Sequence, residues 1–152
     1  MTRVLAVTGG SCAGKTTLIG ELNELLGWDL LSIDAERAAG RDWPGLDRRV
    51  RNARRPVIVE SIAMPADYRA ALARHDTTIM LVTCTEDERQ RRLEHRGETR
   101  PTGRNYSRSH THFRVDTTNG VPATTLQALA AMARKRYARK PELDPDKETA
   151  RP

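Results

Sequence analysis

Apolar residues in this chain fall into two alternating arrangements, short unbroken runs and stripes at helical spacing. Val4-Leu5-Ala6-Val7 is a run of the kind found in a strand buried on both faces. Leu18, Ile19, Leu22, Leu25 and Leu26 then recur at helical spacing, with Gly27 predicting a C-terminal cap. Trp28-Asp29-Leu30-Leu31-Ser32-Ile33 predicts a second strand that ends at Asp34. From Ala35 to Asn52 the chain turns polar, punctuated by Gly40, Pro44 and Gly45, and Leu46 and Val50 mark a short helix. Pro56 opens a third strand, Val57-Ile58-Val59, which stops at Glu60-Ser61.

Pro65 to Arg74 predicts a helix with proline in its first turn, where a missing N–H costs little. Thr77 to Thr83 is a fourth strand. Thr85-Glu86-Asp87-Glu88 has capping-box spacing, with acids placed where the helix dipole favours them, and opens a helix from Glu86 to about Arg96. A loop rich in glycine, proline and arginine fills Gly97 to Ser109. His112-Phe113-Arg114-Val115 predicts a fifth strand ending at Asp116, and Thr124 to about Ala138 a last amphipathic helix. This alternation predicts an α/β three-layer sandwich: a five-stranded parallel sheet with right-handed crossovers and helices on both faces. The expected domain spans 1–139. The tail 140–152, with three prolines and almost no apolar residues, is expected to be disordered.

Composition narrows the partners more than the chemistry. A chain of 152 residues is one domain by length, and 38% hydrophobic against 30% charged residues is a globular balance. The net charge of +6 suits an anionic partner, whether ATP, a phosphorylated substrate or nucleic acid. No apolar run approaches the roughly 18 residues of a membrane span. The chain enters its first strand directly, so no secretory leader is expected, and Cys12 and Cys84 read as reduced thiols of a cytoplasmic protein. His75, His95, His110 and His112 show no metal-ligand spacing with the cysteines.

The chemistry concentrates between the first strand and the first helix. Gly9-Gly10-Ser11-Cys12-Ala13-Gly14-Lys15-Thr16 fits G-x-x-x-x-G-K-[ST], the Walker A phosphate loop, at every fixed position. Gly9 and Gly14 allow backbone conformations and close approaches that a Cβ would block. The N–H groups of Ser11, Cys12, Ala13, Gly14 and the helix start at Thr16 and Thr17 predict a concave anion site. Lys15 is placed to reach the β- and γ-phosphates of ATP, and the Thr16 hydroxyl to ligate Mg²⁺. In a parallel sheet, Asp34 after strand two and Glu60 after strand three share the rim with this loop. Asp34 is the candidate base and Glu60 the candidate Mg²⁺ partner, through water. Arg89, Arg92 and Arg96 share one face of the fourth helix, and Arg100, Arg104 and Arg108 recur in the loop behind it. Together they predict a lid over about 97–110 in which Arg89 and Arg100 hold ATP while Arg92 and Arg96 neutralise the transferred phosphate. In Arg41-Asp42-Trp43-Pro44, the Trp43 ring is a candidate for stacking on a planar acceptor, and Asp42 or Asp47 for holding a sugar hydroxyl.

Taken together, GGSCAGKTTL, LLSIDAE with RDWPGLD behind it, VIVESI and IMLVTCTEDERQRRLEHR resemble the P-loop kinases of the nucleoside and nucleotide kinase group, with the pattern of uridine kinase and nicotinamide riboside kinase. The resemblance covers roughly residues 3 to 135. It implies ATP and Mg²⁺ as cofactors, a base at Asp34, a metal-site acid at Glu60, arginines that grip ATP, and an adenine seat near Thr117 to Val121. The segment Ala35 to Arg55 departs from it, being shorter and richer in arginine than in most nucleoside kinases. The function so implied is transfer of the γ-phosphate of ATP to a hydroxyl of a small, nucleoside-like acceptor. Two alternatives stay open: a polynucleotide kinase using the arginines before Pro56, and an ATP-binding switch that transfers no phosphate.

Overall fold

Five parallel strands make one sheet in the spatial order β2-β3-β1-β4-β5. In the computed structural model they are β1 (Arg3–Thr8), β2 (Asp29–Ser32), β3 (Val57–Ser61), β4 (Asp76–Thr83) and β5 (Phe113–Asp116). Six helices connect and cover them: α1 (Lys15–Leu26), α2 (Ile33–Ala38), α3 (Trp43–Arg51), α4 (Ala66–Leu72), α5 (Glu86–His95) and α6 (Ala123–Arg134). The structure describes residues 2–40, 43–62, 66–97 and 111–135, with Trp43 and Pro44 described by backbone alone.

Side chains on a strand alternate between faces, so each apolar run fills two cores at once. Val4, Ala6, Val57, Val59 and Ile79 pack with Leu46 and Val50 of α3 and Tyr68 and Leu72 of α4. Leu5, Val7, Ile58, Met80, Val82 and Val115 pack on the other face with Leu18, Ile19 and Leu22 of α1 and Leu129 and Ala133 of α6. The register then sets the functional rim: Thr8 pairs with Ser61, Ser32 with Glu60, and Thr83 with Asp116.

Several boundaries differ from expectation, each for a local reason. β2 stops at Ser32 because the Ser32 hydroxyl accepts from Ala35 N–H at 3.4 Å and caps α2, so Ile33 and Asp34 belong to a helix. β3 runs through Ser61, which makes Glu60 a ladder residue. Trp43, expected in a polar loop, opens α3. The capping box of α5 is half formed: the Thr85 hydroxyl accepts from Glu88 N–H at 3.3 Å, but Thr85 N–H donates to the Thr118 hydroxyl at 2.9 Å. The Gly27 cap is present, with φ of 65° and its N–H on Asn23 O at 2.8 Å. Residues 98–110, 136–138 and the tail 140–152 lie outside the described residues, and with them nearly all of the expected lid.

The opposite end of the sheet is tied by an ionic cluster around the buried Asp47 and His75. Asp47 on α3 meets His75 Nε2 at 2.8 Å, Arg51 at 2.5 Å and Arg74 at 3.5 Å. Burial alone would raise the Asp47 pKa, but the His75 hydrogen bond and the Arg51 charge more than offset it and hold the carboxyl below its ordinary value. His75 directly precedes the first residue of β4, so this cluster fixes α3 to the amino-terminal end of the sheet.

Position in the sheet predicts the cost of truncation. Leu5 is fully buried in the central strand and Leu30 on the edge strand is 50% exposed. Leu5→Ala should cost about 2–5 kcal/mol in denaturant unfolding and Leu30→Ala about 1 kcal/mol or less.

Candidate active site

The phosphate loop leaves β1 at Thr8 and enters α1 at Lys15. Two glycines are required by space as well as conformation. A Cβ on Gly9 would collide with the Val82 carbonyl, and one on Gly14 (φ 93°) would come within 2.7 Å of Thr117 Oγ1.

All six carbonyls from Gly9 to Gly14 have a donor. Lys15 Nζ donates to Gly9 O at 2.7 Å and Gly10 O at 3.0 Å. Arg89 Nε donates to Ser11 O at 3.0 Å, and Arg92 to Cys12 O at 3.2 Å. The Thr117 hydroxyl donates to Ala13 O at 2.5 Å, and Leu18 N–H to Gly14 O at 3.0 Å. Burial pushes the Lys15 ammonium below its ordinary pKa, while the negative charges of Glu60 and Asp34 act the other way.

Lys15, Thr16, Asp34, Glu60 and Arg96 line one concavity of about 170 Å³, together with loop residues Ser11, Cys12, Gly14 and Thr17. Strand register explains the meeting: Glu60 sits on β3 beside Val7, and Asp34 lies two residues beyond Ser32, its β2 neighbour. Thr16 Oγ1 is 3.4 Å from Glu60 Oε1. A hydroxyl beside a carboxylate is a pair of hard oxygen donors, the set that Mg²⁺ takes while keeping its remaining water. Among the described residues no three His, Cys, Asp or Glu side chains gather as a metal cluster. A second concavity of about 370 Å³ shares Cys12, Gly14, Thr17 and Arg96 with the first and is walled further by Glu21, Arg92, His95, Thr117 and Val121.

The arginines divide in a way their spacing did not foretell. Arg92, expected to neutralise transferred phosphate, donates to Glu88 at 2.9 Å, to Cys12 O, to Thr117 Oγ1 at 3.1 Å and to Thr117 O at 2.7 Å. Four of its five N–H groups therefore hold protein. Arg89 lies under the loop at Ser11, with Glu86 3.8 Å away. Arg96, the C-cap of α5, lines both concavities. Asp42, Arg100, Arg104, Arg108 and the Trp43 side chain lie outside the described residues. Asp47 is corrected: its carboxylate belongs to the cluster at the far end of the sheet, away from the rim. Arg54 and Arg55 precede β3, so a strand of five residues, about 16 Å, separates them from that rim. Cys12 and Cys84 are both free thiols.

Thr117 as a loop partner was not anticipated, and neither was Glu88 as the anchor of Arg92. Thr117-Thr118 directly after a strand-ending Asp116 was the available signal.

No protein-family model matches the sequence, and no curated protein matches it. Solved structures do match. They include a sugar kinase from Janibacter sp. HTCC2649, with TM-score 0.61 and 18% identity over 86% of this chain and 94% of that one. The Mycobacterium tuberculosis APS kinase, solved with AMPPNP and APS, matches with TM-score 0.58 and 16% identity over 86% and 94%. Shikimate kinase from Acinetobacter baumannii, solved with shikimate, matches with TM-score 0.53 and 18% identity over 87% and 90%. The fold is that of the P-loop kinases. The likeness to these neighbours extends over most of both chains.

Glu88 gives this rim a pH signature. The Arg91 hydrogen bond, followed by that of Arg92 and set against partial desolvation, holds its carboxyl down at about 2 against an ordinary 4.5. The folded value lies below the unfolded one, so its stabilisation is complete above about pH 4.5 and is lost as the pH falls toward 2. Melting temperatures between pH 5 and 3 should therefore fall less steeply in Glu88→Gln than in the unaltered protein.

Proposed function

We propose that this protein is an ATP- and Mg²⁺-dependent kinase that transfers the γ-phosphate to a hydroxyl of a small, nucleoside-like acceptor. The observation that carries this reading is the concavity in which Lys15, Thr16, Asp34, Glu60 and Arg96 meet beside the loop. A phosphate-binding lysine, a carboxylate base and an arginine in one cleft are the parts that phosphoryl transfer needs.

In this reading the loop N–H groups and Lys15 bind the β- and γ-phosphates. Thr16 and Glu60 would hold Mg²⁺, which would supply neutralisation of the phosphate charge. Asp34 takes the proton of the acceptor hydroxyl as its oxygen bonds to the γ-phosphorus, and the bond from that phosphorus to the β,γ-bridging oxygen breaks to release ADP. Arg96 offsets the charge on the transferred group. The solved neighbours named for sugar, gluconate, shikimate and APS support a small acceptor. The resemblance to uridine and nicotinamide riboside kinases supports a nucleoside-like one.

The test is transfer of labelled γ-phosphate from ATP with nucleosides, sugars, small acids and oligonucleotides offered in parallel. Label is expected on a small acceptor. Label on oligonucleotides alone, or ATP binding with no transfer to any acceptor, would overturn the reading. Lys15→Ala and Asp34→Asn should each lower turnover by a factor of about 100 or more, and only Lys15→Ala should weaken ATP binding by more than about tenfold. Undiminished turnover in Asp34→Asn would remove it as the base.

A further inference from the structure

The C=O and N–H of a trans peptide point in opposite directions, so a loop that offers N–H groups to an anion must turn its carbonyls the other way. Here the three carbonyls at the bend are taken by side chains from elsewhere in the fold. Arg89 of α5 holds Ser11 O, Arg92 of the same helix holds Cys12 O, and Thr117 beyond β5 holds Ala13 O. Arg92 also donates to Thr117 Oγ1 and Thr117 O, which locks the two donors to each other. Glu88 fixes Arg92 from behind.

The backbone gives a second, independent sign. Cys12 has φ of 61°, the left-handed region that a non-glycine residue enters only when its surroundings hold it there. Its carbonyl is the one that receives both Arg92 at 3.2 Å and the Cys84 thiol at 3.7 Å.

We propose that Arg89, Arg92 and Thr117 form a carbonyl clamp that sets the phosphate loop in its binding conformation, and that they are positioning residues for triphosphate binding. The inference rests on the reading of the loop as a triphosphate site. It deepens that reading by taking Arg92 out of the set that contacts the transferred phosphate. Arg92 also walls the 370 Å³ concavity, so the side chain that shapes the loop is in reach of whatever occupies that space.

The experiment uses the full chain and two readouts: hydrogen exchange of the peptide spanning residues 9–16 in the free protein, and calorimetric affinity for ATP with Mg²⁺. Thr117→Val and Arg92→Lys should each raise loop exchange and the ATP Kd by about tenfold or more, with exchange in β1 and β4 unchanged. Thr117→Ser keeps the hydroxyl and should match the unaltered protein in both. A Thr117→Val protein that exchanges and binds normally would overturn the clamp. So would a Thr117→Ser protein as impaired as Thr117→Val, or exchange that rises equally through β1 and β4. If the unaltered protein binds no ATP, the kinase reading falls, while loop exchange in the free variants still decides the clamp.

Discussion

A tight loop that turns its carbonyls into protein must find each of them a donor, and the rim of this protein is arranged around that constraint. An unpaired backbone carbonyl in so enclosed a bend would cost about 1–3 kcal/mol, comparable to a large share of a domain's net stability. The donors come from three places: α1 through Lys15 and Leu18, α5 through Arg89 and Arg92, and the turn after β5 through Thr117. A motif written in eight consecutive residues is thus completed by residues about 75 to 105 positions further along the chain. The carboxyl-terminal half of the fold is a structural part of the phosphate site.

The parallel sheet solves a different problem, bringing acids to that loop without burying them. Each strand delivers its last residues to the same rim, and the register places Glu60 and Asp34 on the side of β1 away from α5. Glu60 and Asp34 therefore reach the loop from β3 and the start of α2, while Arg89 and Arg92 reach it from α5. At the other end of the sheet the single carboxylate of Asp47 gathers His75, Arg51 and Arg74, which anchors α3 there.

Periodicity in the sequence resolved the strands, the long helices and the loop, because β1, β4, α1 and α5 each satisfy their local preferences and their tertiary positions together. Boundaries failed where a single polar side chain decided them, as Ser32 does by capping α2 two residues before Asp34. What was legible of the candidate site is that the loop, Asp34 and Glu60 meet, because strand ends in a parallel sheet share one rim. The arginines were not. Helical spacing shows that Arg89, Arg92 and Arg96 share a face, but what that face meets depends on how α5 docks against the loop. Asp47 misled for the same reason, since the direction in which α3 runs is a tertiary fact.

The clamp grips main-chain oxygens and no side chain of the residues it bends. Shape and lettering of the loop are therefore separable: Ser11 and Ala13 contribute their peptide groups, which every residue but proline possesses in full. At Ser11 the loop can change its vocabulary while keeping its grammar, provided that α5 and Thr117 stay as they are. Ala13 is packed in the core and Gly9 and Gly14 have no room for a Cβ, so the fixed points of the loop lie partly in the motif by which it is recognised and partly far outside it.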